Sequence, residues 1–432
     1  LWFLDQFEPG SSAYNIPIVR RLSGVLDVGA LERSLNEIVR RHEALRTTFA
    51  AEDDAVLQVI AASASVPLPV TDLRGLLPQE SEARARLLAE EEAARPFDLA
   101  RGPLIRAGLV RLAEEEHLLL LTLHHIVADG WSLDVLYREL SVLYEAFRAG
   151  KPSPLPELEV QYADYAAWQR DWLRGETLET QLGYWRKQLA GLPDALSIPT
   201  DHPRPAVQSH RGSERTVALP ETLTPLLREL SRRERATLFM TLLAAWQVLL
   251  ARLTGEEDIV TGTPIAGRTQ PAIEGLIGFF VNTLVLRTDL SGNPTFREVL
   301  GRVRGTALDA YEHQDLPFER LVEELRPERS LSIHPLFQVA FAFQGTPLPQ
   351  PKMPGIAARP FAVEGSVAKF DLMLSVSERA GVLRCSLQYR TDLFEPDSIE
   401  RMLGHFRVLL EGIAADPDRP VAELPQIGRA SC

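Results

Sequence analysis

The chain has 432 residues, 45% hydrophobic and 24% charged, a composition that fits a globular protein of two or three domains. Its 46 Lys and Arg against 59 Asp and Glu give a formal charge of −13, which argues against a nucleic-acid partner. The two cysteines, Cys385 and Cys432, supply neither a disulfide framework nor a cysteine-rich metal site and fit a reducing compartment.

Residues 1–10, LWFLDQFEPG, open in an apolar-aromatic segment without an initiator Met, a basic start or a small-residue cleavage pattern. This reads as an excised fragment of a cytoplasmic protein, with no apolar run long enough to cross a bilayer. Asp27 is placed to cap a helix whose Leu31, Leu35, Ile38 and Val39 face inward, running into RRHEALRTTF at 40–49. Arg40 is accounted for as a dipole partner at the helix end. Arg41 and Arg46 are candidates for a charge-assisted pair that would hold a carboxylate elsewhere in the fold. SEARARLLAEEEAAR at 81–95 reads as a solvated helix. PFDLARGPLIRAGLVRL at 96–112 reads as a turn through Asp98, Gly102 and Pro103 into a strand that pairs with the next apolar run.

That run is HLLLLTLHHIVADGWSLD at 117–134, around which the chain is organised. Leu118 to Leu121 with Leu123 suit a strand buried on both faces. His124 and His125 stand at its end, where successive side chains point to opposite sides, so one faces the core and the other an open space. Asp129 and Gly130 then suggest a tight loop, with Trp131 beside it and Ser132 as the N-cap of a helix striped by Leu133, Leu136, Leu140, Leu143 and Phe147. Singly, each polar residue has a structural explanation; together they form a candidate site.

After Gly150, KPSPLPELE is a connector and QYADYAAWQRDWL at 161–173 an aromatic amphipathic helix. A helix carrying Tyr184 and Trp185 leads to the proline-rich stretch at 191–208, expected to be the hinge between two lobes, 1–190 and 209–425. The second half begins with helices near 220–233 and 238–253 and the strand DIVTGTPIAGR at 258–268. In IGFFVNTLVLR at 277–287, Gly278 is expected to permit a sharp bend, and Asn282 either offers an amide to a substrate or closes a turn. His313 and His334 lie beside proline-containing turns and read as structural rather than metal-binding. Residues 369–378 and 382–390 read as paired strands and 398–413 as a closing helix. The ending IGRASC, within the tail 426–432, reads as an appended remnant.

HHIVADG at 124–130 matches the HHxxxDG signature of the condensation domains of nonribosomal peptide synthetases, relatives of chloramphenicol acetyltransferase. RRHEALRTTF, YADYAAW, IGFFVNTLVLR, YEHQDLPFERLVEEL and RPERSLSIHPLFQ resemble that family's other motifs, in family order. The resemblance implies a mixed α/β fold: two chloramphenicol-acetyltransferase-like lobes in a V-shaped pseudo-dimer with a substrate tunnel. It implies amide formation between donor and acceptor thioesters carried on the 4'-phosphopantetheine of carrier proteins, next to an adenylation domain, with no metal, nucleic acid or membrane involved and the excised chain monomeric. By the family pattern His125 faces the tunnel and either accepts the amine proton or positions the amine. The N–H near Gly130 and the helix start at Ser132 lie where an oxyanion would be stabilised, and His124 is structural. Arg268 is the first choice of partner for Asp129, as a salt bridge across the lobes, with Arg46 and Arg41 in reserve. The motifs resemble members that join an L-donor to an L-acceptor. An epimerisation domain shares HHxxxDG, but FVNT and HQDLPFE resemble condensation motifs. A silent recruitment module is the non-enzyme alternative.

Overall fold

The strand Glu116–His124 is buried along nearly its whole length and lies at the centre of a five-stranded sheet. In this computed structural model, which describes residues 1–52, 55–193, 195–326, 332–345, 351–362 and 366–425, the sheet runs in a fixed order. That order is Ala357–Pro360, Asn15–Ser23, Glu116–His124, Ile105–Ala113 and Val70–Asp72. Antiparallel ladders pair Asn15 with His124 on one side and Ile105 with Leu123 on the other. The strand needs no polar face because both faces are covered. Leu119, Leu121 and Leu123 pack into the core built with helices Val28–Arg41 and Gly130–Arg148, whereas Leu118 and Leu120 meet Ala85 and Ala89 of helix Pro78–Ala94. The alternation of strand side chains thus serves two helix layers.

The remaining strands form a two-stranded hairpin, Thr47–Glu52 with Ala55–Ile60, and a seven-stranded sheet. The larger sheet runs Ser366–Val367, Arg211–Ala218, Val382–Arg390, Leu372–Arg379, Val339–Gln344, Asp258–Ile265 and Asn282–Asp289. Val339–Gln344 is parallel to both neighbours. Helix Leu238–Thr254 is buried from Met240 to Leu250 against it, which explains why its sequence is apolar all round. Gly262 is required in this sheet because a Cβ there would lie 2.1 Å from the Phe337 ring. No single helix among the described residues is long and apolar enough to cross a membrane.

The chain divides into two compact units. The first comprises Leu1–Trp172, Arg268–Val281 and Leu348–Glu364, and the second the remaining segments. The boundary therefore falls at Trp172 rather than within 191–208, and two segments from the second half of the sequence return to the first unit. Helix Gly175–Gln188 belongs to the second unit because Leu182, Trp185 and Leu189 enter its core and Trp185 Nε1 donates to His313 O at 2.9 Å. The proline-rich stretch is tied down rather than hinge-like. Arg204 pairs with Asp371, and Asp201 accepts from Glu395 N at 2.8 Å and Ser398 Oγ at 2.7 Å. Cys432, the tail 426–432 and part of the 326–344 motif lie outside the described residues.

Candidate active site

The ladder of the central strand ends at His124, and the chain turns there. His125 N donates to Tyr14 O at 2.8 Å and Val127 N to His124 O at 3.1 Å. His124 is 3% exposed, its Nδ1 accepting from Ile126 N at 3.2 Å and its ring against Phe97 and Tyr14. His125 is half-buried, with its ring edge-to-face to Phe279 at 5.3 Å. The two histidines therefore differ in burial, His124 enclosed and His125 half-buried against Phe279.

Helix Gly130–Arg148 begins immediately afterwards, and its N-cap is Asp129 rather than Ser132. Asp129 has extended backbone angles, and its Oδ1 accepts from Ser132 N at 2.8 Å, the bond that a cap makes to the third helical residue. Ser132 lies inside the first turn and does a different job. Its Oγ donates to Asp129 Oδ1 at 2.7 Å or to Gly278 O at 2.8 Å, and accepts from Gly278 N at 3.1 Å. Gly130 is exposed, its φ is not left-handed, and a Cβ there would meet nothing within 4 Å. The turn therefore does not require glycine; the residue leaves open space beside His125's loop.

Arg268 meets Asp129, as the resemblance implied, with Nη2 at 3.3 Å from Oδ1 and both side chains 1% exposed. Both belong to the first unit, so the pair fastens the returning segment 268–281 to the histidine motif within that unit. Nη1 donates to Ile273 O at 2.6 Å and Leu276 O at 2.8 Å, Nη2 also reaches Ser132 Oγ at 3.1 Å, and the guanidinium lies over the Phe280 ring at 4.1 Å. Burial pulls the Arg268 pKa below arginine's ordinary value, and the Asp129 charge opposes that shift. Asp129 Oδ2 accepts from Phe280 N at 2.9 Å, and Trp131 Nε1 donates to Glu274 O at 2.9 Å. Asp129 is consequently an anchor for the returning segment.

The reserve arginines pair elsewhere. Arg41 binds Glu139 through Nη2 at 3.1 Å and Nε at 3.2 Å, and Arg46 pairs with Glu43 at 3.1 Å and with Ala61 O. Asn282, in the second unit, spends its amide on backbone: Nδ2 donates to Gln314 O at 2.9 Å and Leu316 O at 2.8 Å, and Oδ1 accepts from Phe318 N at 3.0 Å. Its role there is turn closure. Gly278 stands at a bend, as expected, and also permits a close approach, since a Cβ would lie 2.4 Å from Tyr162. Among the described residues no group of three or more His, Cys, Asp or Glu side chains could hold a metal ion.

Sequence reading missed Phe279, Tyr162, His42 and Glu139. Tyr162 Oη donates to Phe279 O at 2.8 Å, and His42 Nδ1 accepts from Ile277 N at 3.1 Å. Glu139 was findable: it stands within the Leu136, Leu140, Leu143 stripe, where a charge must be buried and matched. Burial alone would raise its carboxyl, but hydrogen bonds from His42 and Arg41 hold it below the usual carboxylate range.

Residues 1–430 match the family model described as Condensation domain. The chain is 53% identical to a linear gramicidin synthase polypeptide of Brevibacillus parabrevis over 99% of this chain and 6% of that one, so it spans a small part of that relative. The X-domain from teicoplanin biosynthesis has a similar structure, with a TM-score of 0.89 at 32% identity over 98% of this chain and 95% of that one. The same X-domain in complex with OxyB gives 0.86 at 32% identity, over 97% and 92%.

Proposed function

This chain belongs to the condensation-domain family of nonribosomal peptide synthetases, with the chloramphenicol-acetyltransferase-like fold of that family, and we propose that it joins two carrier-bound thioesters through an amide bond. The amine of an acceptor aminoacyl thioester attacks the carbonyl of a donor aminoacyl or peptidyl thioester. The C–N bond forms, the C–S bond breaks, and the amine proton ends on the departing sulfur. Both substrates arrive on the 4'-phosphopantetheine arms of donor and acceptor carrier proteins, beside an adenylation domain in the longer synthetase. Donor and acceptor are both L-configured.

The observation that carries this reading is the division of labour within one motif. His124, Asp129, Ser132 and Arg268 are buried in hydrogen-bonded support, whereas His125 is only half-buried and Gly130 opens onto free space. An imidazole so placed accepts the amine proton or orients the amine. Ser132 N is taken by the Asp129 cap, so the N–H groups of Gly130 and Trp131 are the ones that would be offered at this helix start to a tetrahedral oxyanion. Asp129 and Arg268 act by holding the loop, not by touching substrate.

The test is a single-turnover assay with donor and acceptor carrier proteins loaded from a panel of proteinogenic amino acids, with the dipeptidyl product followed by intact mass. Product that disappears in His125→Ala supports the assignment. Product formed equally well by a folded His125→Ala variant that still binds the carriers removes it. A second reading, a catalytically silent recruitment module, is favoured by the likeness to an X-domain solved with OxyB. Absence of product with every loaded pair would move that reading ahead.

A further inference from the structure

We propose that His42 is a positioning residue for this site: its imidazole fixes the N–H of Ile277 and so holds the Phe279 ring against His125. The inference rests on the reading that His125 is the working imidazole.

Segment 277–280 lies outside helices and strands, so its backbone position is set by the side chains that bind it. Ser132 takes Gly278 N and O, Asp129 takes Phe280 N, Tyr162 takes Phe279 O, and His42 takes Ile277 N. The first two belong to the histidine motif. His42 reaches the segment from another element, following helix Val28–Arg41. Phe279 is the residue of this segment whose ring meets His125, at 5.3 Å and 88°.

The rest of the cluster orients the imidazole. His42 is 1% exposed, and Arg41 and Glu139 4% each. Because Nδ1 accepts from Ile277 N, the ring proton sits on Nε2 and donates to Glu139 Oε2 at 3.0 Å. Arg41 holds the same carboxylate by two bonds and is itself fixed by Pro156 O at 2.7 Å. A buried ion pair is weak evidence of stability by itself. What this one adds is an acceptor locked in direction, as a carboxylate does behind any oriented histidine.

Two substitutions separate positioning from simple packing. In His42→Asn the side-chain oxygen can occupy the place of Nδ1 and keep Ile277 N, but the bond to Glu139 is lost. In His42→Gln the amide can occupy the place of Nε2 and keep Glu139, but Ile277 N is lost. The readouts are the His125 ring resonances in histidine-labelled protein, which feel the Phe279 ring, and the single-turnover rate with the loaded carrier pair that the unsubstituted chain accepts. Phe279→Leu supplies the reference shift, and urea unfolding confirms that each variant is folded. His42→Gln should move the His125 resonances in the direction of Phe279→Leu and slow the saturated rate roughly tenfold with half-saturation unchanged, as misplacement of a reacting group does. His42→Asn should restore both. Unmoved resonances in His42→Gln, or equal damage in both variants, would overturn the proposal and leave His42 a packing residue. The resonance pattern needs no turnover, so it upholds the positioning even where His125→Ala shows that the amide-forming reading fails.

Discussion

Each unit buries an aspartate against arginine, and the two clusters do different work. Asp129 in the first unit is the N-cap of a helix, and its oxygens take Ser132, Arg268 and Phe280 N. Asp371 in the second unit is 2% exposed, pairs with Arg204 through both oxygens, lies 3.6 Å from Arg390 Nε, and pins the stretch that carries Arg204. The first binds backbone of the segment whose Phe279 ring meets His125, whereas the second ties down the stretch around Arg204. A buried Asp–Arg pair is therefore a fastening, and its functional meaning comes from what it fastens.

The largest effects should test that distinction directly. Asp129→Ala leaves Arg268 and Phe280 N without their carboxylate partner, which should cost about 3–5 kcal/mol of unfolding free energy and slow condensation by on the order of 100-fold. Asp371→Ala should cost a similar amount, because Arg390 is 2% exposed, but leave the rate of the folded fraction within about threefold. Asp371→Asn keeps the side chain's shape and provides a milder comparison if the alanine variant does not fold. Urea unfolding and single-turnover rates on the same samples decide the matter. Equal loss of rate from folded Asp129 and Asp371 variants would erase the contrast.

The acid response should sharpen it. His334, beside Asp371 and Arg390 in electrostatic reach, is held near pKa 4 because burial penalises its charged form. The unfolded chain would bind that proton near 6.5. Below that pH the unfolded state therefore gains a proton that the folded one refuses, and stability falls as pH drops from about 6.5 toward 4, by about 3 kcal/mol in total. Above 6.5 the residue contributes no slope. Urea midpoints across this range should show the decline, and His334→Asn should flatten it while leaving the Asp129 cluster unaffected. A decline unchanged in that variant would place the acid sensitivity elsewhere.

How much of this was readable follows from which interactions are local. The buried central strand, the helix after it and the paired strands 372–379 and 382–390 are set by periodicity and turn residues, and the structure has them where those patterns lie. HHxxxDG likewise spans the turn from the end of the central strand to the start of the helix after it. The cap went to Asp129 because its extended backbone lets it reach Ser132 N, whereas Ser132 is already helical, a one-turn distinction that composition does not carry. The return of 268–281 to the first unit rests on Asp129, Ser132, Tyr162 and His42, contacts far apart in sequence. The proline-rich stretch looked like a hinge because its backbone is irregular, but the bonds that tie it down come from Asp371, Glu395 and Ser398. Glu139 shows the other limit, since a charge in an apolar stripe announces burial without naming its partner.

The smallest contrast is between the arginines. Arg268→Lys keeps a positive charge near Asp129 but loses the fork that also serves Ile273 O and Leu276 O and lies over Phe280. Arg204 is 27% exposed and gives Ser332 O one further bond at 3.1 Å, so Arg204→Lys retains solvent and its carboxylate as partners. Arg268→Lys should cost about 1–2 kcal/mol, with a fall in rate as segment 268–281 loosens. Arg204→Lys should cost about 1 kcal/mol or less, with the rate unchanged. Unfolding midpoints at low and high salt provide the check: the Arg204 effect should shrink with salt and the Arg268 effect should persist, because only the latter pair is shielded from solvent. If both effects vanish at high salt, Asp129 is not a buried anchor, and the returning segment must be held by its hydrogen bonds to Ser132, Tyr162 and His42 alone.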